Sequence, residues 1–269
     1  MKVALIDVDS HHFPNLALMK ISAYWKSEGA EVEWCVPIKQ YDVAYASKIF
    51  DFTPNIDFEP QADCKWYGGT GYGTLIQLPT EIENIMPDYE LYGITDTAYG
   101  FITRGCPRNC DFCIVTSKEG HCTRQVAEVS QFWSGQNHIC VMDSNILACD
   151  YRYDLLKSLI DTGAKIDFNQ GLDIRYVDDD VIDLLNRMRL PRVRFAWDNP
   201  KEDLEPLFRR FTEKYKRKSP DMKVVYVLTN FNSTFAEDLE RVEILKDAGY
   251  DPYVMVYNKG YAPREVRRL

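Results

Sequence analysis

Several things are missing from this chain, and each absence closes off a class of protein. No apolar run approaches the roughly 20 residues that a membrane-spanning helix needs. The opening Met-Lys-Val-Ala-Leu-Ile-Asp-Val-Asp is too brief for a secretory apolar region and reads as a buried strand, so no signal peptide is expected. Positive charge is in deficit: 32 Lys and Arg against 41 Asp and Glu give a net charge of −9 and a pI near 5.1. That balance argues against a dominant non-specific hold on nucleic acid or an anionic membrane, while leaving room for a local basic patch. The Gly-rich stretch Trp66-Tyr-Gly-Gly-Thr-Gly-Tyr-Gly has no GxGxxG form and no lysine for a phosphate loop. No cysteine follows Cys149, so no second cysteine cluster is encoded toward the C-terminus.

What is present has the composition of a globular protein. The 269 residues are 45% hydrophobic and 27% charged, enough for one large core or two modest ones. Eight cysteines without an export signal imply a reducing compartment, and a cytoplasmic location is expected.

The cysteines are not scattered evenly. Cys106-Pro-Arg-Asn-Cys110-Asp-Phe-Cys113 places three thiols in one short loop at CxxxCxxC spacing. Three thiolates can hold three irons of a 4Fe–4S cluster, which ordinarily takes four protein ligands, and the remaining iron is then open to a small molecule. The competing reading is a zinc knuckle completed by Cys122 or His121, a non-catalytic, metal-stabilised binding protein. Structural zinc sites usually come as two separated ligand pairs, which a compact triplet does not match.

The segment Gly100-Phe-Ile-Thr-Arg-Gly-Cys-Pro-Arg-Asn-Cys-Asp-Phe-Cys-Ile-Val resembles the cluster loop of the radical S-adenosylmethionine enzymes, in particular members with a cobalamin-binding-like N-terminal domain. The resemblance implies a cluster on Cys106, Cys110 and Cys113 that binds S-adenosylmethionine and cleaves it reductively to a 5′-deoxyadenosyl radical. That radical abstracts hydrogen from a substrate that the sequence does not identify. An electron donor such as flavodoxin or ferredoxin is implied with it. The alternative within the same family is a cobalamin-dependent methyltransferase. Methylthiotransferases share a similar loop but use three further N-terminal cysteines, whereas only Cys35 and Cys64 precede this one, and that assignment is rejected.

Periodicity divides the chain at about residue 95. Residues 1–95 read as β–α–β: a strand Val3–Val8, a helix from Pro14 to about Ser27, then strands at Val32–Val36 and Val43–Ala46, forming a small Rossmann-like domain. Residues 96–269 alternate strands with helices. The expected strands are Gly100–Thr103, His138–Met142, Lys165–Asn169, Val193–Trp197, Val224–Leu228 and Tyr253–Tyr257. The expected helices are Ala127–Trp133, Tyr153–Asp161, Asp178–Arg189, Lys201–Tyr215 and Phe235–Asp247, with a last one opening at Pro263. The expected fold is therefore α/β: a partial (βα)6 TIM-like barrel preceded by a small Rossmann-like domain.

Polar residues follow each barrel strand, where βα folds gather ligands. Any one of them also serves as a helix cap or turn former. Family members usually carry a Gly-Gly-Glu-like stretch after the second strand, which binds the amino group of S-adenosylmethionine; here Asp143-Ser144-Asn145 stands in its place, without glycines. By the same resemblance, Gln170 and Arg175 follow the third strand, with Arg175 suited to the methionine carboxylate. Asp198 would take the ribose hydroxyls, Phe112 would pack near the adenine, and Arg124 would reach ligand or protein carboxylates. In the first domain Asp9-Ser-His11-His12-Phe-Pro14 resembles the Asp-x-His-x-x-Gly of cobalamin domains, but Pro14 replaces the glycine. The domain is accordingly expected to be degenerate and cobalamin-free. The cations Arg209, Arg210, Lys214, Lys216, Arg217 and Lys218 read as a solvated helix face.

Overall fold

The computed structural model describes residues 1–11 and 13–269, so His12 lies outside the described residues. The chain forms two compact units, residues 1–99 with 127–136 and residues 100–126 with 137–269. Both are mixed α/β with parallel sheets. Among the described residues no helix is long and apolar enough to cross a membrane.

The first unit is built on β1 (Lys2–Asp7), α1 (Leu16–Ser27), β2 (Glu31–Trp34), β3 (Tyr41–Ser47), β4 (Ala62–Gly68) and the short α2 (Thr80–Glu83), and it includes the start of β5 (Thr97–Gly100). The sheet order is β2-β1-β3-β4, parallel throughout. β1 is buried on both faces because its run Val3–Ile6 is continuously apolar. Helix α1 starts where Asn15 accepts the Leu18 amide at 3.2 Å. Pro14 thus precedes the cap rather than opening the helix. One side of the sheet packs Val3, Leu5, Leu18 and Ile21 with Ile82; the other packs Ala4, Tyr41 and Ala44. Strand β4 was not expected: its residues are mostly exposed on both faces, so no alternation marks it in the sequence.

In the second unit, β6 (Thr103–Arg104) and β7 (Arg124–Gln125) pair antiparallel and bracket the cysteine loop and α3 (Val115–Glu119). There follow β8 (His138–Val141), α4 (Arg152–Asp161), β9 (Lys165–Phe168), α5 (Asp179–Arg187), β10 (Val193–Ala196), α6 (Glu205–Lys214), β11 (Lys223–Thr229), α7 (Phe235–Asp247) and β12 (Asp251–Val256). β8 and β9 are parallel, as are β10, β11 and β12. Single parallel bridges, Lys165 to Arg189 and Leu172 to Phe195, tie the flank of β9 to that of β10. Phe195 fixes α6 on this sheet, meeting Phe211 edge-on at 4.9 Å and Phe208 at 6.0 Å. Each such ring contributes about 1.5–3 kcal/mol by burial.

Two expected elements are corrected. The helix over 127–133 is a single 3-10 turn, Val129–Gln131, closed by the Glu128 and Gln131 side chains. The Tyr89 hydroxyl donates to the Phe132 carbonyl at 2.5 Å, where the turn ends. The strand over 100–103 is interrupted, because the Ile102 and Thr103 amides bond to the Asp143 carboxylate instead of a ladder.

Candidate active site around the cysteine loop

The cysteine loop is held at both ends. Gly105 adopts φ +90°, and a Cβ there would fall on the Cys122 carbonyl oxygen, well inside contact distance. The Gly105 amide donates to Glu119 at 3.0 Å, the Cys106 amide to the Gly120 carbonyl at 3.2 Å, and Arg104 pairs with Glu119 at 2.7 Å. Arg124 donates to the Glu119 carbonyl at 2.9 Å. Glu119 and Arg124 therefore serve the loop's base.

From that base the loop reaches residues that follow the parallel strands. After β8, Asn145 is 3% exposed and its Nδ2 lies 3.6 Å from the Cys106 sulfur, while its Oδ1 is buried without a hydrogen-bond partner. After β10, Asp198 is close enough to raise the Cys110 thiol, whose main upward push is burial, and the Arg108 guanidinium opposes both. After β11, Phe231 meets Phe112 edge-on at 5.3 Å and Tyr257, just past β12, at 4.8 Å. After β9, Asp173 accepts from Asn145 at 3.3 Å and from Arg175 at 2.8 Å. The strand ends and the cysteine loop are thus one neighbourhood.

Not every candidate residue offers a free group. Both Asp143 oxygens are committed, one to the Ile102 amide at 2.8 Å and the other to the Thr103 amide and hydroxyl at 2.6 Å. Burial nevertheless raises its carboxyl to about 6. Ser144 donates to Glu119 at 3.4 Å. Arg175 is bound on one side by Asp173 and on the other by Glu202. Gln170 is exposed in the turn after β9. Asp198 is half-buried, and burial raises its carboxyl. Phe112 remains 40% exposed.

The donor set fits a cluster in its chemistry. Cys106, Cys110 and Cys113 are free, half-buried thiols, and the Cys113 amide bonds back to the Cys110 carbonyl at 3.0 Å. Among the described residues no three His, Cys, Asp or Glu side chains are gathered as a finished metal cradle. Cys110 and Cys113 face each other closely enough to interact, and Cys106 faces Asn145. His121 and Cys122, the supposed fourth zinc ligands, are both exposed. Of the other cysteines, Cys149 is buried and Cys64 sits exposed in β4. Cys140 is buried, which pushes its thiol up to about 12.

In the first unit the carboxylate of Asp9 is buried and accepts the Ile49 and Phe50 amides at 2.7 and 2.9 Å. His11 is exposed with φ 51°. Gly69 packs so tightly on the Lys48 carbonyl that no side chain fits. Beyond the carboxyl ends of β3 and β4 lie Phe50, Phe52, Leu75 and Ile76, between 43% and 80% exposed, with Phe50 and Phe52 stacked at 5.2 Å.

Sequence reasoning missed Arg108, Glu202 and Phe231. Arg108 sat inside the motif and was available to be noticed; nothing local marked the other two.

No protein-family model matches the chain, and no characterised protein matches it by sequence. Solved structures do. The radical S-adenosylmethionine methyltransferase TsrM from Kitasatospora setae, with cobalamin and a [4Fe–4S] cluster bound, superposes with a TM-score of 0.68 at 12% identity, covering 95% of this chain and 74% of TsrM. TsrM with tryptophan substrate and the S-adenosylmethionine analogue aza-SAM gives 0.65 at 12% identity, covering 94% and 72%. The chain shares the TsrM fold.

Proposed function

We propose that this chain is a radical S-adenosylmethionine enzyme, with Cys106, Cys110 and Cys113 holding a 4Fe–4S cluster against the strand ends. The observation that carries the reading is the anchoring of that loop, which meets residues following β8, β10 and β11 through Cys106, Cys110 and Phe112. The second unit is read as a partial (βα) barrel and the first as a Rossmann-like domain. When bound, the cluster supplies the single electron that cleaves the sulfonium of S-adenosylmethionine. The chain's own residues do the rest. The buried, unpartnered Oδ1 of Asn145 is an acceptor for a protonated amine. Asp198 is placed for ribose hydroxyls, and Phe112 with Phe231 offers aromatic surface to adenine. Arg175 enters as a member of an ion network, its guanidinium already engaged on two sides. A flavodoxin- or ferredoxin-type protein is the proposed electron source.

Cobalamin-dependent methyl transfer fits at least as well as hydrogen abstraction. The fold shared with cobalamin-bound TsrM supports it. Held by the first unit, cobalamin would supply the methyl carrier. The test is anaerobic reconstitution with iron and sulfide, then reduction with S-adenosylmethionine, with and without hydroxocobalamin. 5′-Deoxyadenosine formed without cobalamin supports hydrogen abstraction. S-adenosylhomocysteine formed only with cobalamin, and corrin absorbance that stays with the protein on gel filtration, supports methyl transfer. An intact, reduced cluster that leaves S-adenosylmethionine uncleaved rejects both and favours a metal-stabilised binding protein.

A further inference from the structure

Cys106 and Cys110 are joined by a second route besides the backbone between them. From the Cys106 sulfur the path runs through Asn145 Nδ2 at 3.6 Å and on to Asp173 Oδ2 at 3.3 Å. The other oxygen of Asp173 accepts from Arg175 Nη1 at 2.8 Å and from the Arg175 amide at 3.1 Å. Arg175 donates through Nε, at 2.9 Å, and through Nη2 to one oxygen of Glu202, whose other oxygen accepts from Arg108 Nη2 at 2.5 Å. The Arg108 guanidinium lies close enough to Cys110 to act on its sulfur electrostatically, and so closes the ring. The members come from the cysteine loop and from the segments following β8, β9 and β10.

The ring has features of a built frame. Its charges alternate and cancel: Asp173, Arg175, Glu202, Arg108. Its ionic side chains are between 9% and 32% exposed, partly screened from water, where charge-assisted hydrogen bonds exceed ordinary surface pairs. Glu202 is itself fixed, because the indole of the buried Trp197 donates to its carbonyl at 2.9 Å. Among the described residues it is the carboxylate that hydrogen-bonds both arginines.

We infer that Glu202 is a positioning residue that, through Arg108, presets the cysteine loop for its cluster and keeps a cation at the Cys110 sulfur. The inference rests on the cluster proposed above. Its two consequences are separable. In the metal-free chain the loop is ordered in advance. In the loaded protein, a cation at a ligand sulfur favours the reduced cluster, since charge near the sulfurs helps set the potential.

The experiment compares the full chain with Glu202→Gln, Arg108→Gln and Glu202→Asp. Hydrogen exchange of the 106–113 amides is read in the metal-free proteins, and the cluster midpoint potential is read by EPR-monitored titration after reconstitution. Losing the frame speeds loop exchange about tenfold in both Gln variants and leaves β10–β12 protected as in the parent, and Arg108→Gln, which removes the cation, moves the potential to more negative values. Glu202→Asp keeps the parental exchange. Unchanged loop exchange in both Gln variants, or an unchanged potential in Arg108→Gln, overturns the inference, and so does an equal loosening of the whole second unit, which would make the ring a general stability network. If Glu202→Gln does not fold, Arg108→Gln, altered on the loop itself, decides. A parent chain that takes up no iron refutes the cluster proposal, and the exchange comparison still decides whether the loop is preset.

Discussion

At Gly105 a single added carbon decides whether the cysteine loop can close. The backbone is left-handed there, and the Cys122 carbonyl occupies the space a side chain would need. Gly105→Ala is expected to cost about 2–4 kcal/mol from strain plus overlap, seen in urea unfolding, and to lower iron retained after reconstitution. Asp143 makes a different kind of prediction. Burial raises its carboxyl to about 6 against three hydrogen bonds that pull the other way. Because the folded value lies above the unfolded one, the folded state holds this proton more tightly. The group's contribution to stability therefore declines as pH rises from about 4 to about 6 and stays at its lower level above that range. Asp143→Asn lacks the titration, so its penalty relative to the parent is larger at pH 4 than at pH 7, measured by chemical denaturation at each. Gly105 stands beside the three-thiol motif and Asp143 follows the second barrel strand, so both positions were visible in the sequence while their backbone contacts were not. The Arg108–Glu202 contact was not, since its partners are 94 residues apart and no local spacing encodes them.

Among the elements, α7 does more than cover a sheet. Arg241 is 2% exposed and donates to the Trp197 carbonyl at 2.5 Å and the Leu228 carbonyl at 2.9 Å, with Asp238 as its counter-ion at 2.5 Å. Asp238 also accepts the Asn230 amide at 3.0 Å. One helix thus clamps the carboxyl ends of β10 and β11, where Asp198 and Phe231 begin. Arg241→Ala leaves Asp238 buried without its cation and is expected to cost about 3–5 kcal/mol, read as a lower urea midpoint with an unchanged slope. Elements with strong signals were read well. The Thr234 and Glu237 capping box marks α7, and the apolar runs of β1, β8 and β11 mark buried parallel strands. Elements without periodicity were missed or misread. β4 faces water on both sides, β6 and β7 are two residues each, and 127–133 is shaped by Tyr89 from another part of the chain.

On the scale of the whole molecule, the alternation of strands and helices and the three-thiol loop were legible, and the TsrM fold agrees with that alternation. The first unit's ligand was not, because Asp9 and His11 look like a cobalamin motif while the observed contacts of Asp9 hold one loop to another. Under the proposed function, cluster and corrin would belong to different units. Changing Cys106, Cys110 and Cys113 together to alanine is expected to abolish iron uptake and S-adenosylmethionine cleavage, while far-UV circular dichroism and any retained corrin absorbance stay as in the parent. Loss of the corrin signal in that variant contradicts the division.

The most direct measurement is EPR of the anaerobically reconstituted, dithionite-reduced protein, with iron counted per chain and spectra taken before and after S-adenosylmethionine is added. Three cysteine ligands and one open iron predict about four irons per chain and a reduced-cluster signal whose shape changes on binding. A chain that holds zinc or no metal, or a four-iron signal indifferent to S-adenosylmethionine, contradicts it.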